Sequence, residues 1–323
     1  MDSTDYKAST IAIISDKPAS LPEMEEMAAQ FREFGNLNAV PLCIDTPDAD
    51  EIVETVLRIS QGIGGICLES ISAPKCFEIE KRLNENLDIP IFNNRGCGTA
   101  VVLCAAVIGA FKLLKKPLSD VRAAVSGAGV AGNAVTKMLV RIGIRDIVVC
   151  DSKGILDPKR LPEFGEDKLE LLEMTNKDGL SGGIENAVMD RDLFIGVSKP
   201  EILTEELVQT MSKTPVVFAM ARPEPEIMPE FALDAGARVV GTWMRGYPNR
   251  IDSALAFPGL FRGAFDAGAN DITEKMQIAA VYALAGLVSD KELKKDYILP
   301  GADAKPGVCD AVAKAASEAW SED

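Results

Sequence analysis

Short, unbroken runs of apolar and mostly β-branched residues alternate along the chain with longer segments in which apolar side chains recur every three or four positions. The runs predict strands over Thr10–Ser15, Ala39–Ile44, Gly64–Leu68, Pro90–Phe92, Arg122–Ser126, Ile147–Asp151, Leu193–Val197, Val216–Ala219 and Arg238–Gly241. The helical spacing predicts helices such as Leu21–Phe34, Ile52–Gln61 and Cys76–Leu87. Strands that are apolar on both faces, each followed by a helix, form crossover units on a parallel sheet covered on both sides. The expected fold is α/β: a Rossmann-like, doubly wound parallel sheet domain with a second, smaller α/β domain at the N-terminus. A boundary is expected near Gly98, where a mostly apolar helix, Thr99–Leu114, leads through Lys115-Lys116-Pro117 towards a glycine-rich turn. Residues 1–97 then form the small domain and 98–290 the larger one. Residues 291–323, with Pro300, Gly301, Pro306 and Gly307 before a helix over Cys309–Trp320, form a tail packed back on the body.

The turn reads Ser126-Gly127-Ala128-Gly129-Val130-Ala131-Gly132, preceded by the strand Ala123-Ala124-Val125 and followed by a helix over Ala131–Ile142. In that context a Gly-x-Gly-x-x-Gly sequence is expected to bind a dinucleotide, the alternative being a Rossmann-like domain that keeps its fold but no longer binds nucleotide. Gly127 permits the tight turn, Gly129 lets backbone approach a pyrophosphate at the helix N-terminus, and Gly132 lets helix and strand pack closely. The next strand ends in Asp151, 24 positions after Gly127, followed by Ser152 and Lys153. Asp151 would accept hydrogen bonds from the adenosine ribose and repel a 2′-phosphate, favouring NAD over NADP, a preference that Lys153 weakens. Ser198 and Lys199, in Val197-Ser198-Lys199-Pro200 at a later strand end, fall near the expected nicotinamide.

Composition narrows the chemistry. There is no histidine, which removes Ser-His-Asp and Cys-His catalysis and imidazole metal ligands. Any acid or base must be Asp, Glu, Lys, Tyr, Cys or water. The net charge of −15 argues against a nucleic-acid partner. The seven cysteines are odd in number and scattered, which fits reduced thiols in a cytoplasmic compartment. No signal peptide is recognisable, and the longest apolar run, Thr99 to Phe111, is shorter than the roughly 20 residues of a membrane span, so no membrane insertion is expected.

From about Ile11 onward the chain resembles the small bacterial type of malic enzyme, which is NAD(P)-dependent and oxaloacetate-decarboxylating. The resemblance rests on Gly65-Ile66-Cys67-Leu68-Glu69, Ala73-Pro74-Lys75-Cys76-Phe77-Glu78-Ile79-Glu80, Gly98-Thr99-Ala100 and the Ser126–Gly132 turn. It continues through Val149-Cys150-Asp151-Ser152-Lys153-Gly154, Pro223-Glu224-Pro225-Glu226-Ile227-Met228-Pro229 and Leu255-Ala256-Phe257-Pro258-Gly259. It implies that a divalent cation should be held by an adjacent Glu-Asp pair and a later Asp. Here the pair reads Glu69-Ser70, and the later segment reads Asn93-Asn94-Arg95-Gly96-Cys97-Gly98. A guanidinium at the third position would repel Mg²⁺ or Mn²⁺, so no divalent metal is expected. Arg95 would replace its charge, pairing with Glu69 or with a bound carboxylate.

The same resemblance implies that the family's catalytic lysine falls at Met27 and that its catalytic tyrosine would lie upstream of Met1; Tyr6 stands outside any matching motif. The substrate-binding asparagine becomes Arg222, and an asparagine pair becomes Asp252-Ser253. Substrate contacts are therefore expected at Glu69, Asn94, Arg95, Arg222 and Ser253, with Arg245 and Arg250 in a loop facing the cleft. Lys199 is the candidate replacement base, the alternative being a solvated loop lysine, and Cys97 is expected to be a buried spectator.

Two readings remain open. The first is a metal-independent, NAD-linked oxidoreductase acting on a small anionic hydroxycarboxylate. The second is a non-catalytic homologue that binds dinucleotide or an anion as a subunit or sensor. The expected assembly is a homodimer, or a hetero-oligomer in which another chain supplies the missing N-terminal segment.

Overall fold

The computed structural model describes residues 10–301 and 305–320; Tyr6 lies outside them. The chain divides into two compact units, the first comprising Met1–Val102, Ser253–Leu284 and Ala302–Asp323, the second Leu103–Asp252 and Ala285–Gly301.

The first unit holds strands β1 (Thr10–Ser15), β2 (Asn38–Cys43), β3 (Gly65–Leu68) and β4 (Ile91–Asn93) in one parallel sheet of order β2-β1-β3-β4. Its intervening helices are Leu21–Gly35, Ala49–Ile59 and Lys75–Asn86. The central strands β1 and β3 are buried throughout, as their unbroken apolar runs require. A cluster of phenylalanines fills the core: Phe261 lies edge-on to Phe31 at 5.5 Å and to Phe92 at 6.0 Å, and Phe31 meets Phe257 at 4.7 Å. Phe257 and Phe261 sit on the Phe257–Ala267 helix, which packs against the final helix, Lys305–Trp320. Gly259 and Gly263 make that approach possible, because a Cβ at Gly263 would stand 2.5 Å from the Ala313 carbonyl oxygen.

The second unit holds β5 (Arg122–Ser126), β6 (Asp146–Asp151), β7 (Gly154–Ile155), β8 (Leu193–Gly196), β9 (Val216–Ala219) and β10 (Val239–Thr242), in the order β10-β9-β8-β5-β6-β7. Only β7 runs antiparallel. From β5 the chain winds outward to β6, then returns to β8 on the other side, so the carboxyl ends of β5 and β8 lie at the point where the winding reverses. The first sheet repeats this arrangement at β1 and β3. Ligands bind at such switch points in open α/β sheets.

The α/β fold and the doubly wound sheet agree with the sequence pattern. The contiguous division expected at residues 97 and 290 does not coincide with the compact units: the Phe257–Ala267 helix belongs with the first sheet, as does Lys305–Trp320, because their apolar faces close over its aromatic core. The apolar helix also starts earlier than expected. A π turn, Asn94–Gly98, extends it to 20 residues, Asn94–Leu113, long enough to cross a membrane by length and composition. Of its apolar stretch 72% is buried inside the molecule, as in the core helix of an α/β protein.

Phe261 is fully buried among three other rings, so Phe261→Ala should lower the unfolding free energy by about 3–5 kcal/mol, whereas Phe261→Leu should cost under about 2. Urea unfolding of both variants checks the difference.

Candidate functional site

At the switch point of the second sheet, β5 ends in Ser126 and the backbone turns through Gly127 at φ 122°, a conformation L side chains rarely adopt. The Gly127 N–H donates to the Cys150 carbonyl at 2.8 Å, tying the turn to β6. A Cβ on Gly132 would stand 1.7 Å from the Gly127 oxygen, so packing alone dictates glycine there. Gly129 differs: it is exposed, its φ of −89° is ordinary, and a Cβ would meet nothing within 4 Å. The missing side chain leaves the backbone open just where the Val130–Arg141 helix begins and its first N–H groups have no helical acceptors. The Ser126 and Ser198 hydroxyls meet at 3.1 Å, which places the turn beside the end of β8.

Asp151 ends β6 with its side chain only 8% exposed. Its Oδ1 accepts the Lys153 N–H at 2.9 Å, Arg160 Nη2 reaches both carboxylate oxygens at 2.9 Å, and Lys168 Nζ reaches Oδ2 at 2.7 Å. Burial works to raise this carboxyl, but the bonds from Arg160, Lys168 and the Lys153 amide outweigh it and bring it down to about 2. The Lys153 ammonium is bonded to Glu163. Ser152 is exposed beside it.

The loops after β8 and β9 are joined through Glu226, which is fully buried. Its carboxylate accepts the Ser198 N–H at 3.0 Å and the Ala221 N–H at 2.9 Å. Burial pushes this carboxyl up, and the two amides oppose the shift. Arg222 is exposed, with its guanidinium over the Trp243 ring at 4.6 Å, while the Trp243 indole N–H donates to the Ala221 oxygen at 2.7 Å. Lys199 is exposed beside Ser198. Arg250 pairs with Asp252 at 2.9 Å, so its charge is already countered.

In the first unit the ends of β1, β3 and β4 bring Glu69, Ser70, Asn94 and Arg95 together. Glu69 is buried: Oε2 accepts from Asn94 Nδ2 at 2.9 Å, and Oε1 accepts the Ser70 N–H at 3.0 Å and its hydroxyl at 3.2 Å. Ser70 adopts φ 57°, the left-handed region, held by that bond to its own neighbour. Burial raises the Glu69 carboxyl, against the Asn94 bond and the positive charge of Arg95. Asn94 Nδ2 also reaches Ser253 Oγ at 3.4 Å and Met27 Sδ at 4.0 Å. Arg95 is exposed and touches Ser70 Oγ at 3.4 Å, so Glu69 is satisfied by an amide and a serine, not by the guanidinium pairing offered as one alternative. Lys17, directly after β1, donates to the Ser70 carbonyl at 3.0 Å and the Ser72 hydroxyl at 2.9 Å.

A family profile described as "Malic enzyme, NAD binding domain" matches residues 97–234. The bifunctional malic/malolactic enzyme of Bacillus subtilis is 47% identical over 93% of this chain and 74% of its own length. The chain belongs to the malic enzyme family. The NAD-dependent malic enzyme of Geobacillus stearothermophilus is 44% identical over 91% of this chain, which spans 63% of that relative's length. The crystal structure of the NAD-dependent malic enzyme of Thermotoga maritima is 38% identical, with a TM-score of 0.91 over 97% of this chain and 85% of that one.

Of the residues singled out in the sequence, those of the Ser126–Gly132 turn lie together in the second unit, and Glu69, Ser70, Asn94 and Arg95 lie together in the first. Lys17, Arg160, Lys168 and Glu226 were missed. Lys17 had a signal, since it follows the strand at the first sheet's switch point. Arg160 and Lys168, 9 and 17 residues beyond Asp151, had none. Cys97 is half-buried, whereas five of the seven thiols are buried, as expected for core residues.

Two outcomes follow from this geometry. Gly129→Ala should leave stability within about 0.5 kcal/mol of the parent, because the methyl meets no protein atom, yet weaken NADH binding at least roughly tenfold; thermal melts and fluorescence titration read the two effects separately. Glu69 sits above its ordinary pKa, so stability is fully present while the group is protonated and is lost as pH rises through the raised value. Glu69→Gln removes that loss, and Asn94 Oδ1, buried without a partner, can accept the new amide after a half-turn of the Asn94 side chain. The stability of the variant relative to the parent should therefore climb between about pH 4 and pH 7, and a flat difference in denaturation midpoints across that range would refute it.

Proposed function

We propose that the chain is a nicotinamide-dinucleotide-linked oxidoreductase of the malic enzyme family that oxidises a small anionic hydroxycarboxylate without a divalent cation. NAD is its cofactor, the cytoplasm its compartment, and a homodimer its assembly. The observation that carries the metal-independent part is the donor set around Glu69. One carboxylate with both oxygens already engaged, a serine and an exposed guanidinium do not fit Mg²⁺ or Mn²⁺, which require a cluster of free oxygens. Among the described residues, no group of three or more His, Cys, Asp or Glu side chains is arranged to hold an ion.

The charge a cation would bring to the substrate carboxylate is supplied by Arg95, whose planar fork suits a carboxylate. A bound NAD supplies hydride-accepting chemistry, and the chain must take the hydroxyl proton as the carbon gives up its hydride. Lys199 stands exposed beside Ser198 at the end of β8 and is the candidate acceptor of that proton. The Ser126–Gly132 turn holds the pyrophosphate, and Glu226 fixes the loop carrying Ser198.

One observation favours a second reading, a non-catalytic dinucleotide- or anion-binding subunit or sensor in a homo- or hetero-oligomer. The position that the resemblance gives to the family's catalytic lysine is Met27, nearly fully buried against Asn94, which cannot move a proton.

Titration with NADH, with and without Mn²⁺, should give saturable binding that the metal does not alter. Metal-independent reduction of NAD by any member of a panel of hydroxycarboxylates supports the oxidoreductase, whereas binding without turnover across the panel leaves the subunit reading. The double variant S70D/R95D should acquire Mn²⁺ binding, measured by electron paramagnetic resonance, because it restores a carboxylate and removes the repelling charge.

A further inference from the structure

We propose that Lys17 joins Arg95 in a site of the first unit that holds inorganic phosphate more tightly than a carboxylate, so that phosphate competes there with the hydroxycarboxylate; the inference rests on the anion-binding reading of Arg95. Lys17 stands at the first sheet's switch point, directly after β1, and its backbone is fixed there by the chain itself. Pro18 confines it to extended backbone, with φ −129° and ψ 115°. Its N–H donates to the Ser15 hydroxyl at 3.2 Å, and its carbonyl accepts the Ser20 hydroxyl at 2.6 Å. From this base the ammonium reaches the loop after β3, where it bonds the Ser70 carbonyl and the Ser72 hydroxyl. Arg95, after β4, touches the hydroxyl of the same Ser70. Two cations from the ends of different strands therefore flank one residue.

Neither cation is already neutralised. Among the described residues, Lys17 and Arg95 bond only to a carbonyl and to hydroxyls, neutral acceptors that an anion displaces with a gain of charge-assisted bonds. The carboxylates around them are engaged elsewhere. Asp16, next to Lys17 in the chain, pairs with Lys75. Glu69, buried beside Ser70, is bonded to Asn94 and Ser70, and burial disfavours its charge. Glu23, in the first turn of the Leu21–Gly35 helix, acts on Glu69, and Asp45, after β2, acts with Asp16 on Cys43. None of the four forms a salt bridge with Lys17 or Arg95.

The donors suit a phosphate better than a carboxylate. A carboxylate is planar, and the Arg95 fork can satisfy both of its oxygens alone. The Lys17 ammonium, a point charge on the carbonyl side of Ser70, then goes unused. The Ser72 hydroxyl is exposed, accepts from Lys17 and keeps its own proton to donate. Phosphate presents oxygens in three directions, one each for the guanidinium, the ammonium and the hydroxyl.

The test uses the whole chain without dinucleotide, in isothermal titration calorimetry at constant ionic strength. Inorganic phosphate should bind saturably, at least roughly tenfold tighter than malonate, a carboxylate ligand of similar charge, and should displace malonate competitively. Lys17→Gln should weaken phosphate roughly tenfold, whereas Lys17→Arg, which keeps the charge, should stay within about threefold of the parent; Arg95→Gln should weaken both anions roughly tenfold. Malonate binding as tightly as phosphate overturns the inference on the unsubstituted protein, where no variant has to fold. A Lys17→Gln variant that binds phosphate like the parent overturns it too. In both cases loss of malonate binding in Arg95→Gln leaves the reading of Arg95 standing. An Arg95→Gln variant that binds both anions unchanged defeats that reading, and the inference with it.

Discussion

The second unit depends on a contact that tolerates no side chain. The start of the Val130–Arg141 helix sits so close to the end of β5 that Gly132 lies directly against the Gly127 carbonyl, and a single methyl would drive them apart. This contact aims the first turn of the helix across the ends of β5 and β8, with open backbone at Gly129, the Ser126–Ser198 pair beside it and Asp151 one strand away. Packing determines two of the three glycines in the turn. Only Gly129 has no packing reason to lack a side chain, which is why it is the position where binding and folding can be separated.

Buried carboxylates order the loops around this framework in two different ways. Glu226 is enclosed and engaged by backbone amides, so it joins the segments after β8 and β9 while its own ionisation is disfavoured. Asp151 is engaged by charged side chains and stays ionised. Glu69 resembles Glu226 more than Asp151, since its partners are an amide and a serine and its charge is penalised by burial.

Much of this was legible in the sequence. Nine of the ten strands among the described residues lie within a residue or two of the apolar runs that predicted them, since both faces of these sheets are covered and the runs are unbroken. The strand missed, Gly154–Ile155, is a two-residue edge without a pattern of its own. The division into units was not legible. Periodicity reveals that the Phe257–Ala267 helix has an apolar face, but not which sheet receives it, and Phe257 and Phe261 turn out to complete the core of the first. The glycine turn was readable because backbone chemistry leaves it few alternatives. Arg160 and Lys168 were not, because a cation's partner across a loop is set by tertiary folding and leaves no spacing rule behind.

The non-contiguous first unit has a consequence for synthesis. Its four strands are all translated by residue 93, yet the rings of Phe31 and Phe92 have no cover until Phe257 and Phe261 emerge, and the helix carrying those rings has no cover until residues 305–320 follow. The second sheet, from Arg122 to Thr242, is continuous in the chain and can close in the meantime. Until those helices emerge from the ribosome the first sheet waits with its aromatic face exposed, an interval in which a chaperone or a stalled neighbour can reach it.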